Sequence, residues 1–247
     1  MKVFFHPRFY DQYTSDPVAE TGRMEAIVLA IMDHVELCEC MAATEGDLLA
    51  AHTHDHIERV RRHGLYEIAA LAAGGAVQAA KAGMKEPSFA LVRPPGHHAS
   101  GDSCWGFCYF NNMAVALYRA KAEQLIEKAF ILDFDMHYGD GNVNILEGES
   151  WVEILNPEAK NRGDYLDEVK YALENSRADI YAVSAGFDNH VNDWGGLLYR
   201  KDYRLMGQWV HHAARRGQGG CFGILEGGYN HSVLGGNVLA FLEGMKR

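Results

Sequence analysis

No apolar stretch in this chain approaches the roughly 18 residues that a membrane-crossing helix needs. The opening residues, Met1-Lys2-Val3-Phe4-Phe5-His6-Pro7, are too short and too polar for a signal peptide. A membrane is therefore not expected as a partner, and a cytoplasmic location is. Cysteine is sparse: Cys38, Cys40, Cys104, Cys108 and Cys221 make five, an odd number without zinc-finger spacing. That excludes a disulfide scaffold and points to unreactive thiols in a reducing compartment. Basic residues are also in deficit, 23 Lys and Arg against 33 Asp and Glu, for a net charge of −10. Such a surface argues against nucleic acid and favours neutral or cationic small substrates. No linker interrupts the chain. With 247 residues, 48% of them hydrophobic, residues 1–247 are expected to fill one large core as a single domain.

What is present is an alternation of short apolar runs and helix-period segments. Strands are expected at Val3–Phe5, Phe89–Val92, Ala129–Leu132, Val152–Leu155, Ile180–Ser184 and Cys221–Leu225. Helices are expected at Arg23–Leu37, Ala50–His63, Tyr66–Ala82 (interrupted at Gly74-Gly75), Asn112–Lys128, Asp164–Asn175, Asp202–Arg216 and Asn237–Met245. This order predicts an α/β fold with a parallel sheet covered on both faces. In such sheets ligands collect at the carboxyl ends of the strands.

Four strands end in polar or glycine-rich clusters: Pro95-Gly96-His97-His98, Asp133 to Asp140, Ser184-Ala185-Gly186-Phe187-Asp188, and Glu226-Gly227-Gly228-Tyr229-Asn230. In the second, Asp133, Asp135 and His137 alternate with Phe134 and Met136, so an extended backbone aims all three polar groups the same way. Acids at the end of a buried strand are costly unless a positive ion lies among them. Asp135, His137 and Asp188 supply one imidazole and two carboxylates, a set suited to zinc or a similar divalent ion with an open position for water. His97 and His98 offer a general base, Asp133 and Asp140 are spare carboxylates that could fix their tautomers, and Tyr229 could donate its hydroxyl to an oxyanion. Together these imply metal-assisted hydrolysis of an amide or related carbonyl compound. The i,i+4 pair His52 and His56 is a second conceivable metal site, but Thr53 reads as an ordinary helix N-cap there.

The segments Arg93–Ala99, Gly106–Asn112, Asp133–Gly141, Ser184–Asp188 and Glu226–Asn230 resemble, in order, those of the zinc-dependent histone deacetylase family, which includes acetylpolyamine amidohydrolases and acetoin-utilisation proteins. The resemblance runs from about residue 6 to the end. It implies the arginase–deacetylase fold, a three-layer α/β/α arrangement around one mainly parallel eight-stranded sheet. It also implies a Zn2+ held by Asp135, His137 and Asp188, with His98 as general base held by Asp140 and His97 as its neighbour held by Asp133. Tyr229 would polarise the carbonyl, and Gly106 and Phe107 would line the substrate tunnel. A structural K+ near Asp133, Asp135 and His137 is implied as well.

The departures bear on substrate. Tyr138 stands where many relatives have a second histidine. The long loop that supplies the opposite tunnel wall is reduced to Asn156–Gly163, so a second aromatic wall is expected to be missing and the site more open, unless another subunit of a homo-oligomer covers it. Asp193-Trp194-Gly195-Gly196 is a shortened segment that should place Trp194 at the pocket rim, and no glutamate gatekeeper is present. The expected substrate is acetyl-lysine or a small acetylated amine. The alternatives are longer acyl groups or esters, or a non-catalytic binding module of the same fold.

Overall fold

A computed structural model of the protein describes residues 1–246. Its centre is a seven-stranded, all-parallel sheet of β1 (Lys2–Phe5), β2 (Glu36–Glu39), β3 (Ser88–Ala90), β4 (Ala129–Asp133), β5 (Val152–Leu155), β6 (Ile180–Ala185) and β7 (Gly220–Leu225), in the order β2-β1-β3-β7-β6-β4-β5. Every residue of β3, β4, β6 and β7 is buried, as continuous apolar runs must be when helices cover both faces. The helices are α1 (Arg23–Ile31), α2 (Glu45–Leu49), α3 (His54–Arg62), α4 (Tyr66–Gly83), α5 (Asn112–Ala122), α6 (Asp140–Leu146), α7 (Arg162–Asn175), α8 (Arg200–Gly217) and α9 (His231–Met245). They form two groups that flank the sheet: α1, α7, α8 and α9 pack together, as do α2, α3, α4, α5 and α6. Among the described residues no helix is long and apolar enough to cross a membrane.

Seven strands stand where the resemblance implied eight. After β5 only six residues, 156–161, precede α7, too short a length to add a strand on that edge. Several element boundaries also differ. The expected helix Arg23–Leu37 stops at Ile31, and Glu36–Glu39 forms the edge strand β2, whose side chains are mostly exposed and so lack a strand-like apolar run. The expected helix Ala50–His63 begins only at His54, as α3, after the separate short helix α2 has ended at Leu49; Thr53 Oγ1 accepts the His56 N–H as the cap of α3. Helix α5 ends at Ala122 rather than Lys128, with Gln124 in the left-handed region at φ 58°. Asp140–Leu146, not expected as a helix, is α6, and α9 begins at His231, capped by Asn230, six residues before the expected start.

Gly74-Gly75 does not interrupt α4; it lets another segment approach. The backbone of residues 41–43 runs across this helix, with Ala43 N–H donating to Ala70 O at 2.8 Å. A Cβ on Gly74 would lie 1.9 Å from Met41 O and 2.5 Å from Ala43 N, and neither backbone atom can yield as a side chain would. Alanine is the better helix former, so a helix-propensity argument predicts that Gly74→Ala stabilises. The contact predicts the opposite: a loss of about 1–3 kcal/mol, typical of overpacking, read as a lower midpoint in urea. An unchanged or higher midpoint would show that residues 41–43 do not press on α4.

Candidate active site

The four strands that end in the motif clusters, β3, β7, β6 and β4, are contiguous in the middle of the sheet. Parallel pairing puts all their carboxyl ends on one side, so His97 and His98, Glu226 and Tyr229, Asp188, and Asp133 to His137 converge although they are up to 132 positions apart (97 to 229).

Two groups of possible metal ligands are found among the described residues, and one is the expected triad Asp135, His137 and Asp188. His137 Nδ1 lies 3.1 Å from both Asp135 Oδ1 and Asp188 Oδ2. Three of the four carboxylate oxygens accept backbone N–H groups: Asp135 Oδ2 from Gly227 at 2.9 Å, Asp135 Oδ1 from His137 at 2.9 Å, and Asp188 Oδ1 from Met136 at 3.1 Å. The fourth, Asp188 Oδ2, is buried and has no hydrogen-bond partner. Burial, and then the charge of Asp135, push the Asp188 carboxyl up. Burial also opposes ionisation of Asp135, but His97 and the bonds from His137 and Gly227 outweigh it and hold that carboxyl low. The close Asp135 and Asp188 carboxylates raise His137 to about 10. A buried carboxylate oxygen without a donor suits a cation, and the donor set of one nitrogen and two carboxylates fits a divalent ion.

The second group is His97, Cys108 and Glu226, all buried. Each of its members has a protein partner, although Glu226 Oε1, like Asp188 Oδ2, is buried without one. His97 Nδ1–H donates to Asp133 Oδ2 at 3.2 Å, Cys108 Sγ accepts from His98 N–H at 3.4 Å, and Glu226 Oε2 accepts from Gly96 and His97 N–H at 2.7 and 3.2 Å. Burial raises Glu226 to about 7.

The two histidines differ in their surroundings, although their rings are only 4.0 Å apart. Burial opposes the charged form of His97, but Asp133 and Asp135 outweigh it and raise its pKa well above the usual value. Burial, followed by repulsion from His97, lowers His98 to about 4. His98 Nδ1–H donates to Asp140 Oδ1 at 2.6 Å, which leaves Nε2 as the free, accepting nitrogen. Adjacent titratable groups pushed in opposite directions are what a division of acid and base roles requires.

A cavity of about 130 Å³ is lined by these imidazoles and His137, together with Trp105, Gly106, Phe107, Trp194 and Tyr229. Gly106 has φ 59° and abuts His98; a Cβ there would lie 2.4 Å from His98 Cδ2. Phe107 holds the left-handed region at φ 68° without being glycine, a strained setting. Its ring stands edge-on to Tyr229 at 6.3 Å. The expected missing wall is not missing: Trp194 stacks on Tyr229 with centroids 3.9 Å apart and 19° between planes, and Trp105 lies tilted over His98. Both indoles are about half exposed, so they form the rim as well as the wall. Tyr138 is half exposed and takes no part in the cavity lining.

Several supporting residues were not legible in the sequence. Arg23, fully buried at the start of α1, donates to the Gly228 and Glu226 carbonyls at 2.8 and 2.6 Å and so holds the loop that carries Tyr229. Asp193 Oδ2 accepts the Tyr229 and Asn230 N–H groups at 2.9 and 2.8 Å and pins the same loop from the other side. Asn142 donates to Asp133 Oδ2 and Ser184 Oγ at 3.0 and 3.1 Å. The His52–His56 pair is structural. His52 Nε2 accepts Asn111 N–H at 2.8 Å, its Nδ1–H donates to Ser100 O at 3.0 Å, and burial lowers it to about 4; His56 Nε2 bonds Tyr109 O at 2.7 Å. All five cysteines are free thiols.

Residues 18–157 match the sequence model of the histone deacetylase domain. A probable deacetylase of Methanothermobacter thermautotrophicus is 29% identical over 98% of this chain and 90% of its own length. A histone deacetylase-like amidohydrolase of Pseudomonas aeruginosa is 30% identical over 87% of this chain and 72% of its own. The crystal structure of the HDA15 HD domain superposes with a TM-score of 0.85 over 98% of this chain and 88% of that one, at 24% identity, and so shares the fold. With the family model covering more than half the chain, this protein belongs to the histone deacetylase family of deacetylases and amidohydrolases.

Proposed function

We propose that the protein is a zinc-dependent hydrolase that removes acetyl groups from acetylated amines, with His98 as general base and Tyr229 as the donor to the developing oxyanion. The observation that carries this reading is that Asp188 Oδ2, buried and without a donor, lies 3.1 Å from His137 Nδ1, and that His137 lines the same cavity as His98, whose Nδ1 is turned to Asp140.

Asp135, His137 and Asp188 would hold the ion, which when bound supplies Lewis acidity toward an amide carbonyl and makes water acidic near neutral pH. The chain's own groups do the rest. His98 Nε2 takes the proton of the attacking water, and Asp140 on Nδ1 stabilises the imidazolium that results. His97, held charged by Asp133 and Asp135, adds positive potential beside the forming tetrahedral carbon. Burial and the neighbouring Asp135 and Asp188 raise the Tyr229 hydroxyl above its ordinary value, so it stays protonated and can donate to the oxyanion. The proton on the imidazole pair then returns to the leaving amine, giving acetate and free amine. A cavity of about 130 Å³ between aromatic faces favours a short acyl group on an extended amine over a long acyl chain.

Metal analysis with turnover of a fluorogenic acetyl-lysine peptide, and a panel of acetylpolyamines and longer acyl-lysines, tests this directly. Asp135→Asn and His137→Ala are expected to lose metal and turnover together. His98→Ala should keep stoichiometric metal and lose at least about a hundredfold in kcat; turnover retained in that variant rules it out as the base. Tyr229→Phe should lower kcat by about 10²–10³ with little change in KM, the usual cost of one oxyanion donor. If zinc-loaded protein releases neither acetate nor longer acids from any substrate in the panel, and Tyr229→Phe changes nothing, the hydrolase reading fails.

A further inference from the structure

We infer that Trp105 is a positioning residue for the base, acting through Asp140; this rests on the reading of His98 as general base. The two oxygens of the Asp140 carboxylate are divided between two rings. Oδ1 accepts His98 Nδ1–H at 2.6 Å, and Oδ2 accepts the indole Nε1–H of Trp105 at 2.7 Å. The same indole lies over the imidazole, with centroids 3.8 Å apart and 32° between planes. Trp105 therefore grips the dyad twice, by a charge-assisted bond to the carboxylate and by a face against the ring that the carboxylate orientates.

The neighbouring dyad shows why Asp140 depends on this bond. Asp133 is fully buried; its Oδ1 accepts the Asp135 N–H, and its Oδ2 accepts Asn142 Nδ2 as well as His97. Burial and three donors fix its orientation. Asp140 sits at the first position of α6 with its side chain about one-third exposed, and apart from His98 the indole is its one hydrogen-bond donor among the described residues. Without the indole, Oδ2 faces water, the carboxylate can turn about its χ2, and the tautomer of His98 is less firmly held. The loop that carries Trp105 is braced by Ser100 N–H to Ser103 O at 2.8 Å and Cys108 N–H to Trp105 O at 3.0 Å, so the indole is presented from a tight turn. Half of the indole remains in solvent, so its conversion to another aromatic ring does not open the core.

The decisive comparison is Trp105→Phe, which keeps an aromatic face and removes the N–H, measured alone and with Asp140→Asn in the zinc-loaded enzyme. Trp105→Phe is expected to lower kcat about tenfold, the loss of one hydrogen bond to a charged group. KM, metal content and melting temperature should stay essentially unchanged. In the Asp140→Asn background the same change should cost less than about twofold, because the carboxylate through which Trp105 acts is already gone. Full turnover in Trp105→Phe, a loss that multiplies undiminished with Asp140→Asn, or a loss confined to KM would each overturn the inference. If the wild-type protein shows no hydrolase activity, the functional reading has failed, but the contact can still be judged by ¹⁵N NMR. The Trp105 indole N–H should exchange with solvent much more slowly than that of Trp194, and the His98 Nδ1–H tautomer should be less populated in Trp105→Phe. Rapid indole exchange together with an unchanged His98 tautomer overturns the inference without reference to activity.

Discussion

Two buried carboxylates that face one imidazole are the constraint on which the rest of the site depends. Asp135 and Asp188 come from the adjacent strands β4 and β6, and parallel pairing forces their charges together in a place with almost no water. Negative charge so placed is unfavourable by many kcal/mol unless it is neutralised. The fold answers with backbone N–H groups for three of the oxygens, while the fourth faces only the imidazole nitrogen, which is the arrangement the proposed cation would complete. The neighbouring pKa values follow from that concentrated charge. His97 and His137 are pulled up by it, and His98, one ring further away and beside a charged His97, is pushed down.

The residues proposed to carry the chemistry are legible in the sequence because they are chemically improbable where they stand. An acid after an apolar strand, or a pair of histidines after Pro-Pro-Gly, has no ordinary packing role, and four such clusters in parallel-sheet order predict their own convergence. The structure brings every one of them together. The supporting groups carried no such signal. Arg23 reads as an ordinary first-turn residue until its guanidinium is seen against carbonyls 203 and 205 positions away. Trp105 and Asp193 look like loop residues, because their meaning lies in partners 35 and 36 positions on.

Errors in the fold have a similar origin. Strand β2 is an exposed edge with charged ends, so its Leu37 was absorbed into the helical period of the preceding segment. Gly74-Gly75 reads as a break because glycine weakens an isolated helix, whereas here the missing side chains make room for a crossing backbone. The expectation of a missing tunnel wall considered only the shortened loop after β5. Trp105 and Trp194, from two other loops, supply the aromatic surface instead.

Sheet order has a consequence for how the chain is made. Strand β7 is the last to be synthesised, yet it lies between β3 and β6 in the middle of the sheet. Without it, the native sheet order would fall into two three-stranded parts, β2-β1-β3 and β6-β4-β5, each with an unpaired edge facing the gap. Such edges invite pairing with the wrong chain. The segment that fills the gap leads directly into Glu226 and Tyr229, so the same stretch of chain joins the two parts of the sheet and supplies one side of the cavity.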